Sequence, residues 1–157
     1  MSLASPTATA INGAAFKIGI AAARFNAALV DALLARVQAS LRAAGVKANN
    51  IAVVRVPGSH EVPWAAQQLA AHGARDGVIA LGVLIGGDTN HHELVGQSVS
   101  HALQGIAVMT GVPVINGVIV ADTPAQARAR TSGKINRGAE FAHAALAMAA
   151  LKKELSR

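Results

Sequence analysis

The stretch GVIALGVLI, residues 77–85, contains no charged or polar side chain. Successive side chains of a β-strand point to opposite faces, so a run that is apolar throughout has no face suited to water. The stretch therefore predicts a strand that is buried on both sides. Strands of this kind are typical of parallel sheets covered by helices, which makes residues 77–85 the strongest indication of the fold class.

The rest of the chain alternates between strand and helix patterns around this run. Three more strands are predicted, at 16–23, 51–56 and 112–120. Five helices are predicted, at about 27–44, 63–71, 92–110, 124–130 and 138–155. The alternation predicts an α/β fold: a three-layer αβα sandwich around a four-stranded parallel sheet. Residues 16–157 are predicted to form a single domain, preceded by a flexible N-terminal arm at 1–15.

The composition points to self-association. Hydrophobic residues make up 52% of the chain and charged residues 14%, against roughly 25% charged in typical soluble proteins. The charged residues are too few to cover the surface of a monomer. We therefore expect apolar surface to be buried against other copies of the chain in a permanent homo-oligomer. The absence of cysteine excludes disulfides and thiolate metal sites.

The net charge of +6 suits an anionic partner, either a nucleic acid or a phosphorylated metabolite. The basic residues are scattered and the aromatic residues are few, which favours the metabolite over a nucleic acid. No apolar run approaches the roughly 18 residues needed to span a bilayer. Residues 1–15 also lack the basic and apolar regions of a signal peptide. A cytoplasmic location without a membrane partner is therefore predicted.

Ligands of parallel α/β sheets bind beyond the carboxyl ends of the strands, so the segments that follow the strands are the candidate site. In ARFN, 23–26, an exposed Phe25 could stack on a flat heterocycle. Alternatively, Phe25 staples the first helix by packing against its first turns, and Asn26 is expected to cap that helix. In VPGSHEVP, 56–63, the residues Ser59, His60 and Glu61 surround a helix N-terminus that suits a polar ligand. Ser59 and Glu61 could instead simply cap this helix.

The loop GGDTNHHELV, 86–95, follows the central run. Gly86 and Gly87 would let backbone amides approach an anion, and Thr89 adds a hydroxyl donor, although no Walker motif is present. His91 would lie beside the anion, with a titration range suited to moving protons. The alternative is a solvated or capping histidine pair. No metal is predicted, because adjacent histidines diverge by about 100° on a helix and the H-E-x-x-H spacing is absent.

The segment RARTSGKINRG, 128–138, groups four basic residues between two helices. It is either a solvated loop or a phosphate clamp in which arginines supply fork-like donors.

Five segments taken together, RFN, VPGSHEVP, LGVLIGGDTNHHELV, GVPVINGVIVADT and RTSGKINRG, resemble the 6,7-dimethyl-8-ribityllumazine synthase family in order and spacing. The resemblance covers about residues 16–155. It implies a flavodoxin-like sheet and assembly into pentamers or multiples of pentamers. It also implies the penultimate step of riboflavin biosynthesis, in which 5-amino-6-(D-ribitylamino)uracil and 3,4-dihydroxy-2-butanone 4-phosphate give 6,7-dimethyl-8-ribityllumazine, phosphate and water. The family needs no metal or organic cofactor.

The resemblance also assigns roles to individual residues. Phe25 would stack on the pyrimidine, Glu61 would hold the ribityl hydroxyls, and His91 would carry protons. The remaining substrate contacts would come from Asn26, Ser59, His60, Val83, Leu84, Ile85 and Asn116. Phosphate would be bound by Asp88, Thr89, Arg130 and Arg137. Because the family's sites lie between subunits, the adjacent subunit would supply Asn116, Arg130 and Arg137.

The chain departs from the family pattern at several of these positions. His60 and Asn116 stand where aromatic residues are frequent, Gly86 replaces a usual arginine, and His92 replaces a usual aromatic residue. These departures leave open one alternative, an inactive or weakly active paralogue that binds flavin or lumazine ligands.

Overall fold

The computed structural model describes residues 9–156, which form a parallel sheet with helices on both faces. Its four strands lie in the order β2-β1-β3-β4, and every pair of neighbours is parallel. The strands are β1 Ile18–Ala23, β2 Ile51–Val56, β3 Gly77–Ile85 and β4 Val114–Ala121. This is the strand order of the flavodoxin-like class, so the predicted α/β fold is confirmed.

Five α-helices occur in the described part of the chain, and every helix and strand lies within two residues of its predicted bounds. The helices are α1 Ala27–Ala43, α2 Val62–His72, α3 His91–Thr110, α4 Pro124–Thr131 and α5 Arg137–Leu155. Two short 3₁₀ turns, Ala48–Asn50 and Ser59–Glu61, precede β2 and α2. The agreement follows from the strong periodicity of the segments, which depends only on local sequence.

The two apolar layers of the core lie on opposite faces of the sheet. Successive side chains of β3 alternate between them: Ile79, Leu81 and Val83 pack with α1, α4 and α5. Val78 and Ala80 pack with α2 and α3 on the other face. β3 is buried from Gly77 to Val83, which confirms that this run has no face exposed to water.

The edge strands are less buried than their apolar sequences predict. Val53 and Val54 of β2 are 36% and 37% exposed, and Val120 of β4 is 44% exposed. An edge strand has a neighbouring strand on one side alone, and its outer side chains extend past the covering helices. The expectation of burial on both faces therefore applies to the central strands.

The predicted N-terminal arm is described in part, because residues 1–8 lie outside the described region. Of the remainder, Ile11 packs against the core layer of α1 and α5. The Gly13 N–H donates to the carbonyl oxygen of Ala44 at 2.7 Å. The flexibility of the arm stays a prediction. Between residues 9 and 156, no helix is long and apolar enough to cross a membrane.

Asn26 does not cap α1 through its side chain, so that prediction is wrong. Its backbone is left-handed, with φ 56° and ψ 44°, and its side chain accepts no capping hydrogen bond. Instead, Nδ2 of Asn26 donates to the carbonyl oxygen of Val83 at 2.8 Å. The abrupt turn from β1 into α1 uses a left-handed residue, a conformation that asparagine tolerates better than most. The side chain thereby connects the start of α1 to the end of β3.

Replacing Asn26 with alanine removes this hydrogen bond and also leaves a Cβ-bearing residue in the left-handed region. Asn26→Gly removes the hydrogen bond alone, because glycine adopts positive φ without strain. We expect Asn26→Ala to lower the free energy of unfolding by about 2 kcal/mol, roughly 1 kcal/mol more than Asn26→Gly. Urea denaturation at one fixed protein concentration measures both values. Equal losses in the two variants would contradict the backbone contribution.

Candidate active site

A cavity of about 430 Å³ lies at the carboxyl ends of β1, β2 and β3, the edge of the sheet where sequence reasoning placed the site. The predicted site residues that line it come from three loops and the end of β3. They are Phe25, Asn26, Ser59, His60, Glu61, Val83, Leu84, Ile85, Thr89 and His91. Segments that are as far apart in sequence as 25–26 and 89–91 thus meet at one site.

Phe25 forms part of the rim of this cavity. Its side chain is exposed, with 71% of the residue surface accessible, so the ring does not pack onto α1 as a staple. The peptide N–H of Phe25 donates to the Pro57 carbonyl oxygen at 3.0 Å, which fixes the backbone beside the Ser59–Glu61 turn. An exposed ring on a fixed backbone can stack on a flat heterocycle.

The Ser59–Glu61 turn forms a second wall. Oε2 of Glu61 accepts a hydrogen bond from the Gly58 N–H at 2.8 Å, so Glu61 caps the short Ser59–Glu61 turn, whereas its side chain makes no capping hydrogen bond to α2. This bond uses one carboxylate oxygen and leaves the other for a ligand hydroxyl. Ser59 is buried against β3, where a Cβ on Gly82 would lie 2.4 Å from the Ser59 hydroxyl oxygen. The close packing of this turn therefore requires glycine at position 82.

The loop after β3 forms the third wall, and its two glycines differ. A Cβ on Gly86 would lie 2.7 Å from the carbonyl oxygen of Asp122, so Gly86 permits packing against the end of β4 rather than access for an anion. A Cβ on Gly87 would meet nothing within 4 Å, so this peptide stays open to a ligand. Thr89 and His91 line the cavity, whereas Asp88 is exposed beside it. His91 is the first residue of α3, whose N-terminal amides favour a negative charge.

Three predicted site residues lie away from this cavity. Asn116 of β4 lines a separate groove beside α3, and its Oδ1 accepts a hydrogen bond from the Val118 N–H at 3.1 Å. Arg130 donates to the Gln126 carbonyl oxygen at 3.0 Å, and Arg137 pairs with Glu140. Within the described residues, no lysine or arginine lines the cavity. A phosphate bound there would therefore meet no lysine or arginine from the described part of the same chain.

Arg36 is a residue that sequence reasoning missed. From α1, its Nη2 donates to the carbonyl oxygens of Ser132 and Gly133 at 2.7 and 2.9 Å. Arg36 thus holds the loop between α4 and α5, which lies between Arg130 and Arg137. No local sequence signal reveals this contact, because it joins residues 96 positions apart.

His92 also lines the cavity and was left without a role by sequence reasoning. His92, Glu93 and Asp122 each offer one donor atom within 4.8 Å of the others, the one such group of potential metal ligands among residues 9–156. Glu93 and Asp122 are exposed. The adjacent pair His91–His92 gave no indication of this group, because Asp122 lies in a different segment of the chain.

The architecture and the cavity together define a class: flavodoxin-like α/β proteins that bind a small molecule at the carboxyl edge of a parallel sheet. Comparison with known proteins gives the family. The model of the family described as 6,7-dimethyl-8-ribityllumazine synthase matches residues 15–153. The chain therefore belongs to the 6,7-dimethyl-8-ribityllumazine synthase family.

Individual relatives agree with this assignment. A 6,7-dimethyl-8-ribityllumazine synthase from Xanthomonas oryzae is 40% identical over 140 residues, which cover 88% of this chain and 91% of the relative. Those from Nitrosospira multiformis and Thermococcus kodakarensis are 39% and 41% identical. These two alignments cover 92% and 91% of this chain, and 89% and 90% of the respective relatives. Membership confirms the predicted family and its enzymatic function in riboflavin biosynthesis, and no finding favours the inactive paralogue.

Proposed function

We propose that this cavity catalyses the condensation of 5-amino-6-(D-ribitylamino)uracil with 3,4-dihydroxy-2-butanone 4-phosphate. The products are 6,7-dimethyl-8-ribityllumazine, one phosphate and two waters. The observation that carries the proposal is the convergence of an exposed aromatic ring, a carboxylate, a hydroxyl and a histidine on one cavity. Each of these groups suits one part of the two substrates, and the reaction requires no metal or organic cofactor.

The pyrimidine substrate occupies the wall formed by Phe25 and the end of β3. The Phe25 ring stacks on the heterocycle, and backbone groups of residues 83–85 meet its polar edge. Ser59 and His60 contribute from the adjacent turn. The Glu61 oxygen that does not cap Gly58 accepts hydrogen bonds from the ribityl chain. The phosphorylated substrate binds through Thr89 and the backbone of Asp88, at the N-terminus of α3.

His91 moves protons between the two substrates. The ring amine attacks the ketone and expels one water to give an imine, after which phosphate leaves and the chain tautomerises. The second amine then closes the ring with loss of the second water. Each step transfers a proton and none needs a strong nucleophile from the protein, so an imidazole suits the role. Holding both substrates together supplies much of the remaining acceleration.

The complete site requires a second copy of the chain, in a pentamer or a multiple of pentamers. Two observations support this assembly. The cavity has no lysine or arginine of its own among the described residues, although it is expected to receive a phosphate. Large apolar side chains are also exposed on α3 and β4, among them Leu94, Val108, Met109 and Val120. A neighbour packed on such a surface would supply Asn116, Arg130 and Arg137. We expect the enzyme to act in the cytoplasm on small molecules, without nucleic-acid or membrane partners.

The proposal is tested by mixing the purified protein with both substrates and following lumazine fluorescence against the slow uncatalysed reaction. We expect a clear acceleration that saturates in each substrate. A folded, assembled sample that gives no acceleration would overturn the proposal. Tight riboflavin binding in that same sample would favour the inactive paralogue instead.

A further inference from the structure

His92 carries two polar atoms that the fold leaves without partners. Its side chain is 12% exposed, and both ring nitrogens are buried without a hydrogen bond. A buried polar atom normally finds a partner, because an unpaired one costs free energy. Since His92 also lines the substrate cavity, a bound ligand is a natural partner for it.

The surroundings of His92 distinguish its two nitrogens. Nε2 faces the carboxylate of Asp122, with 4.0 Å between Nε2 and Oδ1. Asp122 comes this close because Gly86, just after β3, has no side chain. A Cβ on Gly86 would lie 2.7 Å from the Asp122 carbonyl oxygen. The carboxylate thus attracts an N–H on one side of the ring. Both nitrogens are buried in this structure, so a hydrogen bond to a ligand requires rotation of the ring about the Cβ–Cγ bond, which is a broad torsion in histidine.

The residues that precede His92 in the chain and line the same cavity indicate the ligand chemistry. His92 is the second residue of α3, directly after the Asp88–Thr89 segment and His91. This end of the cavity offers the open peptide at Gly87, the Thr89 hydroxyl and the amides of a long helix. These donors suit a phosphate group, and no lysine or arginine of the described chain lines the cavity to meet its charge.

We propose that His92 is a further substrate-binding residue, whose N–H turns from Asp122 to donate a hydrogen bond to the phosphate of the phosphorylated butanone. The inference rests on the proposed function, because that function brings a phosphate to this end of the cavity. It adds a residue to the phosphate site that the resemblance does not assign. It also predicts that histidine at position 92, in place of the usual aromatic residue, changes the affinity for the phosphorylated substrate.

The test compares His92→Phe, which keeps a ring of similar size without nitrogen, with His92→Gln, which keeps a donor. His92→Phe is expected to raise the KM for the phosphorylated substrate and the Kd for inorganic phosphate by roughly 10-fold or more. His92→Gln should stay within about threefold of the parent for both constants, because it can still donate to the phosphate. The KM for the pyrimidine substrate should not change in either variant. His101→Phe, an exposed position on the same helix, serves as the control.

Several outcomes would overturn the inference. One is unchanged phosphate binding in His92→Phe, and another is an effect confined to the KM for the pyrimidine. A third is a zinc affinity of the parent that is lost in both His92→Phe and Glu93→Gln, because His92 would then belong to a metal site. Binding of inorganic phosphate by calorimetry does not depend on turnover. A parent protein without activity would therefore refute the proposed function while His92 could still be tested.

Discussion

Replacing His91 with alanine is expected to lower kcat about 100-fold, the low end of the effect of a general acid–base residue. The reaction moves a proton at every step, and His91, the first residue of α3, lines the cavity together with Thr89. Positioning of the two substrates does not depend on His91, so a substantial residual rate should persist in the variant. Steady-state kinetics that follow lumazine fluorescence measure the loss.

The matched control is His101→Ala on the same helix. His101 is exposed, lies away from the cavity, and its Nδ1 contacts the Gln97 carbonyl oxygen at 3.0 Å. Its replacement tests whether loss of any histidine from α3 disturbs the enzyme. A His91→Ala variant that keeps the parent kcat would remove His91 from its proposed role. An equal loss in His101→Ala would attribute the effect to the helix rather than to proton transfer.

Replacing Arg130 with alanine is expected to raise the KM for the phosphorylated substrate by about 10- to 100-fold, the range for losing a hydrogen bond to a charged group. The KM for the pyrimidine substrate should stay close to that of the parent. The KM of Arg130→Lys for the phosphorylated substrate should lie between those of the parent and Arg130→Ala, because lysine keeps the charge but loses the planar fork of donors. A normal KM for the phosphorylated substrate in Arg130→Ala would contradict the phosphate clamp.

Mixed assemblies test whether Arg130 acts in the neighbour's cavity. In a site shared by two subunits, His91 comes from one subunit and Arg130 from the next. Co-assembly of equal amounts of His91→Ala and Arg130→Ala subunits should then restore roughly a quarter of the sites, since each site draws its two residues independently. The assay uses a phosphorylated-substrate concentration well below the KM of Arg130→Ala. Activity no higher than the mean of the two variants would refute the shared site.

His91 and Arg130 differ in where the chain itself places them. His91 follows β3 directly, and its loop extends from the central strand into the cavity. Arg130 lies on α4 and donates to its own helix backbone, at the Gln126 carbonyl oxygen. The sequence pattern indicates both residues as candidates for the active site, because both occur in polar segments with anion-binding chemistry. In the proposed shared site, contact between subunits determines where Arg130 acts.

The sequence by itself determined the fold class, the bounds of the helices and strands, and the edge of the sheet where the cavity lies. These properties follow from local patterns. The unbroken apolar run at 77–85 has no face suited to water, and the alternation of strands and helices permits few arrangements other than a parallel αβα sandwich. The five motif segments also identified the family, because polar residues in fixed order after the strands meet wherever the strands end together.

The tertiary structure alone decided the contacts and burial of individual side chains within this fold. Asn26 resembles a helix cap in sequence, yet its side chain bonds to Val83, which is 57 residues away. Arg36 reaches a loop 96 residues further on, and the burial of His92 depends on its packing beside Asp122. Local periodicity carries no information about such contacts, because they form between segments that are adjacent in space and distant along the chain. The exposure of β2 and β4 has the same origin, since strand order and not strand composition determines which strands lie at the edges.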